Sequence, residues 1–286
     1  MSSSSPLVIE ETNLSHAWSR AFLHVIDNSG KEISPLLITL TGFNNGIPNE
    51  DQAIRYALNN CLKINNEQSV NTVANTIFPA SYWRSKNRNK LFDTYLKILP
   101  RIKALAPNKN HRGLYFERLI AFGPESNINQ LEYIISQYKS RQGVRRSMFQ
   151  ASIFDPAQDH NSTAQLASFK ASIFDPAQDH ISTAQLAFPC LQHVSFVPQK
   201  NSLIMNAFYA TQQLFNKAYG NYLGLCSLGD FMAHEMGLSF ERMNCFVGVA
   251  KMDNIKKKCP TLEELKKVSR QAIIKSDRTE IQPDLI

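Results

Sequence analysis

Residues 214–236 read LFNKAYGNYLGLCSLGDFMAHEM, and Gly237 follows directly. Only Lys217, Asp230 and Glu235 carry full charges in that span. A helix built from it has almost no face suited to water, so burial on most sides is expected. Gly237 supplies the left-handed stop that ends such a helix. The chain around it alternates helical and strand-like runs without a glycine-rich nucleotide loop of either common type, which predicts a mixed α+β layered domain.

On the N-terminal side, Leu14, Trp18, Ala21, Phe22, Val25 and Ile26 recur at helical spacing, with Asn13 as the cap and Gly30 beyond the end. Pro35 to Phe43, PLLITLTGF, is rich in branched residues and reads as a strand. Helices are predicted over Asp51–Leu62, over Asn87–Leu105 with a kink at Pro100, and over Asn129–Tyr138. Leu114–Phe122, His193–Val197, Leu203–Tyr209 and Cys245–Met252 read as strands. The organisation expected is one domain over 1–253, then a polar helix and tail over 254–286, the helix opened by a Thr261/Glu264 capping box.

Composition narrows the class of protein. Across 286 residues, 43% hydrophobic content allows a sizeable core. No stretch approaches the roughly 20 apolar residues of a membrane span. The opening Met1-Ser-Ser-Ser-Ser-Pro6 lacks the pattern of a signal peptide, so a cytoplasmic location is expected. Five cysteines form no CxxC pair and no paired Cys/His spacing, which points to reduced thiols and no metal. The net charge of +7 suits anionic partners. The basic residues are scattered apart from Lys256-Lys-Lys258, so nucleic acid is not the expected partner.

Residues 149–168 and 169–188 are a tandem duplication, identical at 17 of 20 positions. Two copies do not make a solenoid. One copy can hold a given place in a sheet; the other is looped out, adds an edge strand, or exchanges between chains.

Three short segments carry chemistry. Pro189–Cys190 offers a nucleophile, Arg145–Arg146 an anchor for an anion, and Tyr219-Gly-Asn221 an amide able to read a polar ring edge. An ordinary thiol, with a pKa of about 8.5, is only a few per cent thiolate near neutrality. Such a nucleophile therefore needs one or two guanidinium groups close by. Each residue also has a plainer reading. Cys190 could be a small buried hydrophobe, the arginines an exposed strand end, Asn221 a helix cap, and His193 a half-buried histidine. Cys61, Cys226 and Cys245 sit among apolar neighbours and are expected in the core.

The order of these segments resembles the thymidylate synthase and pyrimidine (dCMP) hydroxymethylase superfamily over roughly residues 110–250. There a double arginine opens a strand, a Pro-Cys dipeptide leads into another, and an asparagine-bearing segment opens a long buried helix. The resemblance implies a thymidylate synthase-like layered fold and transfer of a methyl or hydroxymethyl group to C5 of a pyrimidine nucleotide. Cys190 would add to C6 of the ring, with methylenetetrahydrofolate as the one-carbon donor. Arg145 and Arg146 would grip the nucleotide phosphate in the partner's site, so a homodimer is implied. Asn221 would pair with the O4/N3 edge of a uracil. Tyr115, in Arg112-Gly-Leu-Tyr115, falls at a site tyrosine, and Gln213 stands roughly where the family has an acidic residue.

Three places differ from the pattern. Phe208-Tyr-Ala-Thr211 stands where an arginine is usual, Lys251-Met-Asp253 where the family has His-x-Tyr, and Val73–Pro79 holds no glutamate. These differences leave open an alternative, a catalytically reduced homologue serving as a nucleotide-binding sensor or scaffold.

Overall fold

The computed structural model describes residues 6–28, 32–105, 107, 113–123, 125, 127–141, 143–155, 189–252 and 260–281. Most of the duplicated segment, Lys256–Lys258, His160, His180 and Gly30 lie outside the described residues.

Caps set the early helices. The Asn13 carboxamide accepts from the amides of Ser15 and His16 and opens α1, Leu14–Asp27. Asp51 does the same for α2, Gln52–Ile64, through the amides of Ala53 and Ile54. Then come α3 (Val70–Ile77), α4 (Arg88–Leu105, with Pro100 inside it) and α5 (Tyr115–Ile120). The next helices are α6 (Gln130–Ser140, capped by Asn129), α7 (Tyr219–Met236) and α8 (Pro260–Ile281).

The strands are β1 (Leu7–Glu11), β2 (Glu32–Ile33), β3 (Leu36–Leu40), β4 (Phe43–Asn44), β5 (Ile47–Pro48), β6 (Gln150–Ser152), β7 (Leu191–Gln199), β8 (Ser202–Gln213) and β9 (Ser239–Lys251). Seven of them form one mixed sheet in the order β1-β3-β9-β8-β7-β6, with β2 also on β9; β4 and β5 pair separately. β1 runs parallel to β3 and β8 parallel to β9, and the other pairings are antiparallel. The architecture is mixed α+β, as the interleaved runs predict.

The long helix is buried as its composition requires. Thirteen of the 18 residues of α7 are buried, so it is a core element packed on β8 and β9. A π-helical turn, Leu214–Ala218, joins β8 to it, and the Trp18 indole donates to the Leu214 carbonyl at 2.9 Å. α3 crosses α7 over Gly220 and Gly224. A Cβ at Gly220 would lie 2.6 Å from the Val73 side chain, and one at Gly224 would lie 2.7 Å from the Ala74 carbonyl oxygen. Gly237 ends the helix at φ 72°, in the left-handed region.

Two local expectations change. Leu114–Phe122, read as a strand, contains helix α5 instead. Phe116, Leu119 and Ile120 are core residues at helical spacing, and the Glu117 carboxylate accepts from the Leu114 amide at 3.1 Å, closing the first turn. Thr261 lies inside α8 rather than capping it, because the helix opens on Pro260, where a fixed φ suits the first position. α8 is also docked: Leu262 and Leu265 are buried, and the helix packs on α1 and α2.

The sheet has two unlike faces. The face toward α1 and α7 carries Ile38, Met205, Tyr209, Met243 and Val247, all fully buried. The opposite face carries a side-chain ladder in one row of the register. Thr39 donates to Asn244 at 3.1 Å, Asn244 to Asn206 at 2.8 Å, and Asn206 to Ser195 at 3.2 Å. The neighbouring row is apolar: Val8 is 64% exposed, Phe246 39% and Phe208 37%, with the two phenyl rings stacked at 5.6 Å.

Candidate functional site

Cys190 is the one described cysteine that is not buried; Cys61, Cys226 and Cys245 are all in the core. Burial pushes the Cys226 and Cys245 thiols up and keeps them protonated. Cys190 sits just ahead of β7, packed at the margin of the core. Its carbonyl accepts from the Ala210 amide at 3.1 Å, which continues the β7–β8 pairing. A register shift between Leu191 and His193 re-aims this end of the strand. The exposed Thr211 hydroxyl on β8 lies 3.7 Å from Cys190 Sγ and can donate to it.

Tyr115 comes to the same place by way of α5, not a strand. Its phenol lies against the backbone of Leu191 and Cys190. Burial raises its pKa, the neighbouring Cys190 raises it further, and the Leu191 and Cys190 backbone and Arg118 oppose the rise. Behind it is Tyr209, fully buried, whose pKa is raised by burial and then by Tyr115. Among the described residues the Tyr209 hydroxyl and the Gln212 Nε2 have no hydrogen-bond partner. Gln212 Oε1 accepts from the Tyr222 hydroxyl at 2.7 Å.

Asn221 is 5% exposed and lies inside a helical run that starts at Leu214, so the capping reading is excluded. Gln213 is exposed, at the end of β8. His193 pairs opposite Phe208 on the open face, and burial lowers its pKa. That is the half-buried histidine of the plainer reading.

No protein-family model matches the chain, and no curated protein does.

The arginine pair lies elsewhere. Arg145 and Arg146 are exposed, leading into a 3₁₀ turn over Arg146–Met148 before β6. The Phe149 carbonyl accepts from Phe196 at 2.8 Å, six residues along β7 from Cys190. At about 3.3 Å per residue, Phe149 enters the sheet about 20 Å along β7 from Cys190, and the pair precedes it in the chain. Arg146 lines an open cavity of about 330 Å³ with Tyr138, Arg141, Val144, Phe149 and Pro198. Two guanidinium groups thus share one concavity, a suitable setting for a bidentate anion.

Within one chain the structure brings Cys190 together with Tyr115 and sets Arg145 and Arg146 apart. Sequence reading missed Thr211 and Arg141. Thr211 was open to detection only through strand pairing, since it faces the sulfur across β7–β8. Arg141 follows α6 and bears no motif.

Proposed function

We propose that the chain is a thymidylate synthase-like homodimer that adds the Cys190 thiolate to C6 of a pyrimidine nucleotide and so activates C5 for a methyl or hydroxymethyl group. The observation that carries this reading is the one thiol among the described residues that is not buried, set between a hydroxyl donor and a buried phenol at a sheet margin. Thr211 can donate a hydrogen bond to the attacking sulfur. When the sulfur bonds to C6, the ring's C5=C6 electron pair moves toward C5 and O4, and C5 becomes nucleophilic. After C5 has bonded to an external one-carbon electrophile, the C5 proton is lost and the sulfur is expelled as the C5=C6 bond re-forms. This restores the ring and the free thiolate. An electrophile at the formaldehyde level gives hydroxymethyl, and methyl needs in addition a hydride supplied by the donor. Asn221 is assigned to the ring edge, Tyr115 to holding the strand that carries the sulfur, and Gln213 to the mouth of the site.

The residues described beside Cys190 are Thr211 and the phenols of Tyr115 and Tyr209, and both phenols are taken up by burial against the strand and the core. They do not by themselves fit methylenetetrahydrofolate, and no step is routed through that donor.

The second copy is assigned to the open sheet face. A polar ladder that pairs sideways, beside an exposed apolar row, leaves the second amide hydrogen of Asn206 and Asn244 to reach a partner while the apolar row is buried. An isologous pairing there lets the arginine end of one β7 approach the thiol end of the other, so that Arg145, Arg146 and Arg141 supply the phosphate anchor in trans.

A second reading, a nucleotide-binding sensor or scaffold with reduced catalysis, has its own observation. The exposed residues of α3 include Asn71, Thr72 and Asn75, and no carboxylate lies on that helix to manage protons at the ring. Tritium release from C5-labelled dUMP and dCMP, with and without methylenetetrahydrofolate, separates the two. Release that depends on Cys190 supports the transferase. Tight nucleotide binding without release from either substrate supports the sensor.

A further inference from the structure

Between Glu132 and Asp155 the chain carries four cations, Lys139, Arg141, Arg145 and Arg146, and no acidic residue. Other guanidinium groups have carboxylate partners: Arg20 pairs with Glu11, Arg55 with Glu50, Arg88 with Glu132 and Arg270 with Asp27. Among the described residues, no carboxylate pairs with Arg141, Arg145 or Arg146, and all three are exposed. Charge left unanswered in this way is available to a ligand.

Local structure gathers two of these groups around one opening. Arg141 follows α6 in extended backbone, and Gly143 turns the chain at φ 76°, in the left-handed region. Arg146 opens the 3₁₀ turn before β6, where the Met148 amide donates to the Arg145 carbonyl at 2.9 Å. Both arginines line the cavity of about 330 Å³. That volume falls in the range of small-molecule sites, about 300–1,000 Å³. A phosphate alone fills only part of it. Much of the remaining wall is apolar: Tyr138, Val144, Phe149 and Pro198. Phe149 is buried, and the Tyr138 ring packs edge-on against it with centroids 6.0 Å apart, so the core holds this wall in place.

We propose that this cavity binds a small molecule made of one aromatic ring and a dianionic phosphate, the phosphate between Arg141 and Arg146 and the ring against Tyr138, Val144 and Pro198. Two positive charges match the two negative charges of a phosphate monoester, and the planar guanidinium suits its oxygens. The apolar wall removes the ring from water, which charge alone does not do. The site is complete within one chain and uses neither Cys190 nor a second subunit. Such a ligand competes with a nucleotide for the same arginines, and that consequence alone rests on the transferase reading.

Calorimetry on the full chain with phenyl phosphate and methyl phosphate tests this, because the two ligands carry the same charge and differ in the ring. Phenyl phosphate is expected to bind about tenfold tighter, from the apolar area removed from water. Equal affinity overturns the proposal and leaves a bare anion anchor, still able to serve a nucleotide. Phenol, which lacks the charge, should bind at least about 100-fold more weakly than phenyl phosphate, and phenol binding as tightly also overturns it. The affinity should hold over about a 100-fold range of protein concentration, since one chain suffices. Binding that strengthens with protein concentration contradicts a one-chain site.

Substitutions locate the site. Arg141→Ala and Arg146→Ala should each weaken phenyl phosphate about tenfold, with the unfolding midpoint unchanged because both side chains are exposed. Arg84→Ala removes an exposed guanidinium that does not line the cavity, and should shift the affinity less than about twofold. Equal losses in all three variants mean a response to net charge, and rule the site out. A phosphotyrosine peptide binding more than about tenfold tighter than phenyl phosphate assigns the cavity to a protein partner and overturns the small-molecule claim. C5 tritium release plays no part in these measurements, so failure here and failure of the transferase reading are told apart.

Discussion

The two ends of strand β7 carry opposite chemistry. At its start, Cys190 is half-buried among Thr211, Tyr115 and Tyr209, with hydroxyl groups and little charge. Opposite its far end, Arg141, Arg145 and Arg146 are exposed, and the first and last of them line an open cavity. A nucleotide needs both environments, one for the ring and one for the phosphate. About 20 Å of strand keeps them apart in one chain. The comparison teaches that one chain keeps its accessible thiol and its guanidinium groups at opposite ends of a strand; under the proposed function these are two half-sites, joined across the open sheet face of a second subunit.

The sharpest way to break the comparison is at the sulfur. Cys190→Ala should lower C5 tritium release more than about 1,000-fold while nucleotide affinity, read by calorimetry, shifts only a few-fold. Next is the opposite end. Arg145→Ala with Arg146→Ala should weaken nucleotide binding about 100-fold, which is about 2.7 kcal/mol, with the unfolding midpoint unchanged because both residues are exposed. The junction between the ends is tested by Phe208→Asp with Phe246→Asp. Sedimentation should show a dimer weakened more than about 100-fold, with the far-ultraviolet circular dichroism of a folded monomer retained. Thr211→Val should slow the covalent step about 10-fold through loss of one donor to the sulfur, and Thr211→Ser should recover most of it.

The smallest effect concerns His193. Burial lowers its pKa in the fold, so the unfolded chain binds more protons below about pH 6.5. Stability is therefore present above that pH and declines as pH falls through it. His193→Gln should flatten the slope of urea midpoints between pH 7 and pH 5.

Much of this scaffold is legible in the sequence. Asn13 and Asp51 mark helix starts because a short side-chain acceptor ahead of an apolar period has one common use. The charge-poor run from Leu214 announces a buried helix. The misreading at Leu114–Phe122 has a local cause: LYFERLIAF has the apolar content of a strand, and only Glu117 reaching back to the Leu114 amide decides for a helix. The site is less legible. Cys190 and Tyr115 are found from order along the chain, but Thr211 meets the sulfur through pairing between strands. No spacing rule marks a contact across a sheet. The separation of the arginines from the thiol depends on the direction in which β6 runs along β7, and that too is a tertiary fact.

The central claim, one site assembled from two chains, is tested most directly by subunit complementation. At a nucleotide concentration near the parent's dissociation constant, Cys190→Ala protein and Arg145→Ala/Arg146→Ala protein are each expected to show no more than about a few per cent of the parent's C5 tritium release. They are mixed under conditions that allow subunits to exchange. Half of the dimers are then mixed, each with one intact site of two, so about a quarter of the parent activity should return. No recovery on mixing, with exchange verified, would place the sulfur and the arginines in the same chain's site and contradict the account.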